Sequence, residues 1–178
     1  MLIRYSVEGM KGCKLQDLQR ILEIYNACRL GLNKQGLTQW AHGYPYAEMV
    51  EADVLAGDIY GLQTKGKWVA VIVLNQSAKS RYDGLKWSCT GCNPVEVHRL
   101  AVDPTFQRRG IARQLMREAE QWAVAQGHCC IRLDSWSLNA GNDQFYRSLG
   151  YHPTREELHW PPVEAPFWCY EKVLTAAR

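Results

Sequence analysis

The stretch Gln107-Arg108-Arg109-Gly110-Ile111-Ala112 has the residue types of an anion site. A strand-like segment, Val95 to Val102, runs into a short loop, and the loop opens a helix-like segment. The first amides of a helix have no acceptor inside it, and the aligned peptide dipoles add partial positive charge there. Gly110 has no side chain to hold an anion off the backbone, and Ala112 is nearly as small. Arg108 and Arg109 add formal charge beside the same loop. This chemistry fits a pyrophosphate gripped mainly by backbone N–H groups. Glu96 and His98 stand two positions apart on the preceding strand and so share one side of it. Either can accept a proton, or both can share a water chain. Tyr146 follows Asn139 by seven residues, two helical turns, so the two lie on one face.

These residues need a frame, and the periodicity of the chain supplies one. Ile3 to Val7 reads as a short strand. Lys14 to Leu30 reads as a helix, with Leu15, Leu18, Ile21, Leu22, Tyr25 and Cys28 on one face and Gly31 as its stop. A second helix is expected from Tyr46 to Ala56, closed by Gly57. Ile59 to Gln63 and Trp68 to Leu74 read as strands joined through Lys65-Gly66-Lys67. After an irregular stretch come the strand Val95 to Val102, a helix Arg109 to Gln126, a strand Cys129 to Ser135 and a helix Asn139 to Leu149. Tyr151 to Thr154 and Phe167 to Leu174 read as final strands, separated by a Pro-rich loop. Ile111, Leu115, Ala119, Trp122 and Ala123 form an apolar stripe, so that helix buries one face and offers only its start to a ligand. The order describes an α/β protein with a mixed sheet and helices on both faces. With no repeat or linker, residues 1–178 read as a single domain.

Composition narrows the function. Of 178 residues 47% are hydrophobic, which predicts a globular chain and excludes a disordered one. The net charge of +3 is too small and too scattered to predict a nucleic-acid partner. There is no signal-peptide pattern and no long apolar run, so no membrane partner is expected and the expected address is cytoplasmic. In that setting the seven cysteines read as reduced thiols. Cys89-Thr90-Gly91-Cys92 is a Cys-x-x-Cys, but a structural zinc site calls for a second such pair or two close histidines, and His98 stands alone nearby. It reads as two thiols in a turn, Cys129 and Cys130 read as core, and no metal is expected.

The dinucleotide fingerprint Gly-x-Gly-x-x-Gly and the P-loop Gly-Lys-Ser/Thr are both absent around Gly110. Gln107-x-x-Gly110-x-Ala112 instead resembles the acetyl-CoA signature of the GNAT N-acetyltransferases. Asn139-x-x-Asn142-x-x-Phe145-Tyr146-x-x-x-Gly150-Tyr151 resembles that family's second signature, with Asn142 where many members have Ala. The resemblance is strong from Val95 to Tyr151. It implies a GNAT fold: a mixed, mostly antiparallel sheet of six to seven strands flanked by about four helices.

The resemblance also implies acetyl-CoA, or coenzyme A, as co-substrate. Backbone groups of Leu100, Ala101 and Val102 would hold its pantetheine arm, with Asn139 beside it. Gln107, Arg108, Arg109, Gly110, Ile111 and Ala112 would hold its diphosphate. An alkyl amine with a pKa of about 10.4 must lose a proton before it attacks a thioester. Glu96 stands where histone-type members carry their base, and the Tyr146 hydroxyl would approach the coenzyme A sulfur. A backbone N–H near Leu100 or Ala101 would meet the oxyanion. Direct transfer in a ternary complex is expected, to a primary amine on a small molecule, peptide or protein. Trp40, Trp87 and Trp136 are candidate walls of the acceptor pocket. A homodimer is compatible with the resemblance, since many members pair, although no interface signature is present. The alternative is a non-catalytic acyl-CoA-binding module, which needs the Gly110 loop but neither Glu96, His98 nor Tyr146.

Overall fold

The computed structural model describes residues 7–76, 82–91 and 93–174. The expected strand at 3–7 therefore lies outside the described residues except for Val7, as does Cys92 of the Cys-x-x-Cys. The chain opens with a two-residue strand, β1 (Lys11–Gly12), and a short 3₁₀ turn. Then follow α1 (Leu18–Lys34), α2 (Ala47–Ala56), β2 (Ile59–Thr64) and β3 (Lys67–Asn75). After a loop come β4 (Pro94–Val102), α3 (Ile111–Ala125), β5 (Cys130–Trp136), α4 (Ala140–Ser148), β6 (His152–Leu158) and β7 (Phe167–Val173).

One expectation fails at Gly31. Helix α1 runs through it to Lys34, and the chain turns at Gly36, where φ is +74°. An interior glycine costs a helix about 1 kcal/mol and is tolerated when the helix is anchored elsewhere. Ile21, Ile24, Tyr25 and Cys28 anchor α1 by burial. Among the described residues, the other expected elements stand within a few residues of their places. The β2–β3 connection is a two-residue turn, Lys65 and Gly66, both at positive φ as its twist requires.

The seven strands form one sheet in the order β1-β2-β3-β4-β5-β7-β6. Its pairings are antiparallel except β4 with β5, which α3 connects as a crossover. Strand β3 is buried from Trp68 to Leu74 on both faces. One face packs Leu62, Ile72, Val95 and Val97 against Ile111, Leu115 and Met116 of α3 and Tyr146 of α4. The other packs Ile59, Val71, Val73 and Ala101 against Ile21 and Ile24 of α1 and Val50 and Val54 of α2. Each such fully buried side chain contributes about 1.5–3 kcal/mol.

Two irregularities in β4 matter most. Val73 pairs with His98 but Val71 pairs with Ala101, so Arg99 and Leu100 form a bulge opposite Ile72, with Arg99 at φ +50°. The register of β4 with β5 runs from Pro94↔Cys130 to Val97↔Leu133. Beyond it β4 stays with β3 as far as Val102, while β5 stays with β7 as far as Trp136. The two strands therefore part, and a wedge opens between residues 98–102 and 134–136.

Candidate active site

The loop from Asp103 to Gly110 leaves β4 at the open end of that wedge. Asp103 accepts hydrogen bonds from the Thr105 N–H at 2.9 Å and hydroxyl at 2.7 Å, and it pairs with Arg20 of α1. Burial pushes this carboxyl up, but those partners outweigh it and hold it below the usual range. The Gln107 side-chain amide donates to the Val102 carbonyl at 3.0 Å and folds the loop back onto β4. Arg108 at φ +59° and Gly110 at φ +78° then turn the chain into α3. The helical ladder begins with Gln114 N–H donating to the Gly110 carbonyl, so the amides of Ile111, Ala112 and Arg113 precede it. A Cβ placed on Gly110 would meet nothing within 4 Å, so the space beside its backbone is open. Gly110 also borders a groove of about 610 Å³ that runs along Arg113, Gln114 and Arg117. An open amide cradle with arginines beside it fits a diphosphate.

The expected cofactor residues divide by role. Gly110, Ile111 and Ala112 come together as backbone; the Ile111 side chain is 3% exposed and belongs to the core. Arg108 is exposed, and the Arg109 guanidinium lies 5.6 Å from the Phe106 ring centre. Leu100 within the bulge, and Ala101 and Val102 just after it, lie on the β4 side of the wedge. Asn139 caps α4, its carbonyl accepting from Asn142 N–H at 3.1 Å while its amide donates to Gln39 at 2.9 Å. The second bond ties α4 to the loop after α1. Asn142, the departure from the family pattern, donates to the Ser135 hydroxyl at 3.2 Å.

Glu96 and His98 do share a side of β4, with His98 Nε2 3.1 Å from Glu96 Oε2. Glu96 is 7% exposed. The structure adds two groups to them. Asp134 of β5 accepts a 2.6 Å hydrogen bond from the Tyr82 hydroxyl, and the Tyr82 ring stacks on the His98 ring with centres 5.9 Å apart. Burial pushes the Asp134 carboxyl up, although the Tyr82 hydrogen bond and the charge of His98 pull it down. Tyr146 packs in the core on the α3 face of the sheet, near enough for the Asp134 charge to act on it. It is 7% exposed and packs on Tyr151 and Tyr170. Burial first, and the negative field of Asp134 second, push its phenol above the ordinary range, so it holds its proton more tightly than a free phenol. Asp134 thus interacts with all three expected catalytic residues, since Glu96 and His98 also act on it.

Sequence reasoning missed Asp134 and Tyr82. Asp134 had a signal: it is an acid alternating with Ile131 and Leu133 inside an apolar strand. Tyr82 had none, because it lies in an irregular loop.

The expected pocket walls have different neighbours. Trp40 packs edge-on against Tyr25 and Tyr44. Trp136 is 6% exposed, and its indole N–H is buried without a hydrogen-bond partner. Trp87 donates to the Tyr82 carbonyl at 3.1 Å and stacks on the Arg132 guanidinium, 4.5 Å from its ring centre. That loop is fastened further where Glu171 accepts from the N–H groups of Ser88 and Cys89 at 2.9 and 3.0 Å. The same fold-back corrects the expectation for the cysteines. Cys129 is disulfide-bonded rather than a reduced core thiol, and Cys89 and Cys130 lie beside it. Residues forty positions apart meet because the loop doubles back onto the head of β5.

A model described as the acetyltransferase (GNAT) family matches residues 18–151. The chain is 25% identical over 146 residues to the uncharacterized N-acetyltransferase MJ1207 of Methanocaldococcus jannaschii, covering 81% of this chain and 60% of that protein. The chain therefore spans less than two thirds of that relative's length. A GNAT-family acetyltransferase of Streptococcus agalactiae superposes with a TM-score of 0.81 at 18% identity, over 97% of this chain and 98% of that one. The PaiA N-acetyltransferase of Thermoplasma acidophilum, solved in complex with coenzyme A, superposes with a TM-score of 0.70 at 18% identity, over 94% and 99%. At that identity the two structures carry the fold alone. No helix among the described residues is long and apolar enough to cross a membrane.

Proposed function

The chain belongs to the acetyltransferase (GNAT) family, and from that premise we propose that it moves an acetyl group from acetyl-CoA directly to a primary amine in a ternary complex. The observation that carries the reading is the wedge between β4 and β5, which opens beside the free amides of Ile111 and Ala112. Acetyl-CoA supplies an activated thioester carbonyl. The amides at the start of α3 bind the diphosphate, with Arg108 and Arg109 adding charge. The β4 backbone from Leu100 to Val102 holds the pantetheine arm, and an amide at the bulge donates to the developing oxyanion. Glu96 and His98 take the proton of the acceptor amine, directly or through water. Asp134 offsets the charge that His98 then carries, and Tyr82 holds Asp134 in place. Tyr146 donates a hydrogen bond from its hydroxyl to the departing thiolate; its raised pKa keeps the proton on the phenol oxygen, so it stabilises the thiolate without full transfer.

The acceptor is a primary amine on a small molecule, peptide or protein. It would enter on the face of β4 and β5 that carries Glu96, His98 and Asp134, beneath the loop bearing Tyr82 and Trp87. The test is release of the coenzyme A thiol from acetyl-CoA with a panel of amines. Saturable turnover on at least one amine class is expected. Saturable acetyl-CoA binding without turnover on any amine, in a chain whose Glu96→Gln variant behaves identically, would favour the non-catalytic acyl-CoA-binding module.

A further inference from the structure

Behind the site, three sulfur atoms from two segments meet. Cys89 lies in the loop before β4, and Cys129 and Cys130 lie at the head of β5. Their Sγ atoms all fall within 4.8 Å of one another, and Cys89 Sγ is 4.0 Å from Cys129 Sγ. A disulfide needs about 2.05 Å, so Cys89 and Cys129 are not bonded to each other. Thiolates at about 2.3 Å around a tetrahedral zinc stand about 3.8 Å apart, so the three sulfurs need to close by no more than about 1 Å. The surroundings hold this arrangement in place. Glu171 accepts from the N–H groups of Ser88 and Cys89 and pairs with Arg132 Nε at 3.2 Å. Arg132 donates to the Cys89 carbonyl at 2.8 Å. The loop backbone is thus set against the strand independently of the sulfurs, which brings Cys89 to Cys129 and Cys130.

We propose that, in the reduced chain, Cys89, Cys129 and Cys130 bind one zinc ion as thiolates and fasten the loop carrying Tyr82 and Trp87 to the head of β5. Cys129 must first leave its disulfide. A dithiol reductant delivers the two electrons and two protons that split the S–S bond into two thiols, and is itself oxidised to a disulfide. Each coordinating thiol then releases its proton to solvent as the metal–sulfur bond forms. The site stands apart from the anion loop, so it does not depend on the acetyl-transfer reading.

The experiment takes the full chain, reduced with a dithiol and freed of metal and reductant under anaerobic conditions, and titrates it with Co²⁺ and then Zn²⁺. Thiolate-to-cobalt charge-transfer absorption and the intense visible bands of tetrahedral cobalt are expected. They should saturate at one ion per chain and vanish as zinc displaces cobalt. The charge-transfer intensity counts the thiolates. Cys89→Ser and Cys130→Ser should each weaken zinc binding at least about tenfold, while Cys13→Ser, in the core under α1, should leave it unchanged. The unsubstituted chain already tests the idea if a variant fails to fold. No tetrahedral cobalt spectrum in the reduced chain, a spectrum with fewer than three thiolates, or one indifferent to both substitutions would overturn it. So would re-formation of the Cys129 disulfide with zinc present in excess.

Discussion

At the mouth of the wedge, Gly110, Ile111 and Ala112 offer backbone amides from a single run of sequence. Along the two strands that border it, Glu96, His98 and Asp134, with Tyr82 from a loop, offer side chains. The first group needs only a strand, a turn and a helix start in order, because any residue supplies the amide and only Gly110 must be small. The second needs the tertiary fold before any of its contacts exist. Substitutions should therefore act differently on the two groups: through loop geometry on the first, through proton chemistry on the second.

The largest effect is expected from removing both proton acceptors. Glu96→Gln combined with His98→Gln should lower kcat by about 10²–10⁴-fold, the usual contribution of general acid–base groups, while acetyl-CoA affinity measured by calorimetry stays within a few-fold. Equal loss of affinity would erase the division between the two groups. Next comes Gly110→Ala. Space is open for the methyl, but the φ of +78° strains any L side chain. Acetyl-CoA should bind about tenfold more weakly, and kcat at saturation should change little.

Asp134→Asn sharpens the comparison through pH. Its folded carboxyl lies above the ordinary value of 3.8, so the native state holds a proton more tightly than the unfolded chain. Stability then falls as pH rises from the ordinary value through the raised one, and the penalty is full above it. Asparagine removes the penalty and can still accept from Tyr82. The melting temperature of the variant should exceed that of the parent at pH 7, and the gain should fade as pH falls towards 3.8. A gain constant with pH would contradict the assignment. The smallest effect is expected at Asn139→Ala, which loses the cap of α4 and the bond to Gln39. About 1 kcal/mol should be lost, a fall of about 2–4 °C in Tm.

The strand, turn and helix start around Gly110 were legible because their rules are local. The strand at Val95, the helix after Gly110 and the apolar stripe of Leu115, Ala119 and Ala123 all follow from spacing within a few residues. The sharing of one side by Glu96 and His98 followed in the same way from strand alternation. The bulge at Arg99 and Leu100 left no mark in the sequence, because a positive φ was imposed on an arginine rather than offered by a glycine. The parting of β4 from β5 was invisible as well, since alternation within a strand does not say where its pairing ends. Gly31 misled because burial of Ile21, Ile24 and Tyr25 outweighs a local preference to stop. The meeting of Cys89 with Cys129 and Cys130 depended on Glu171 drawing the loop down, a contact across 82–83 positions.

The most direct measurement is an amide-resolved NMR titration of the chain with coenzyme A. The account predicts saturable shifts that are largest at Gly110, Ile111 and Ala112 and continue along β4 from His98 to Val102. Absence of a saturable response, or a response centred elsewhere while these amides stay still, would contradict it.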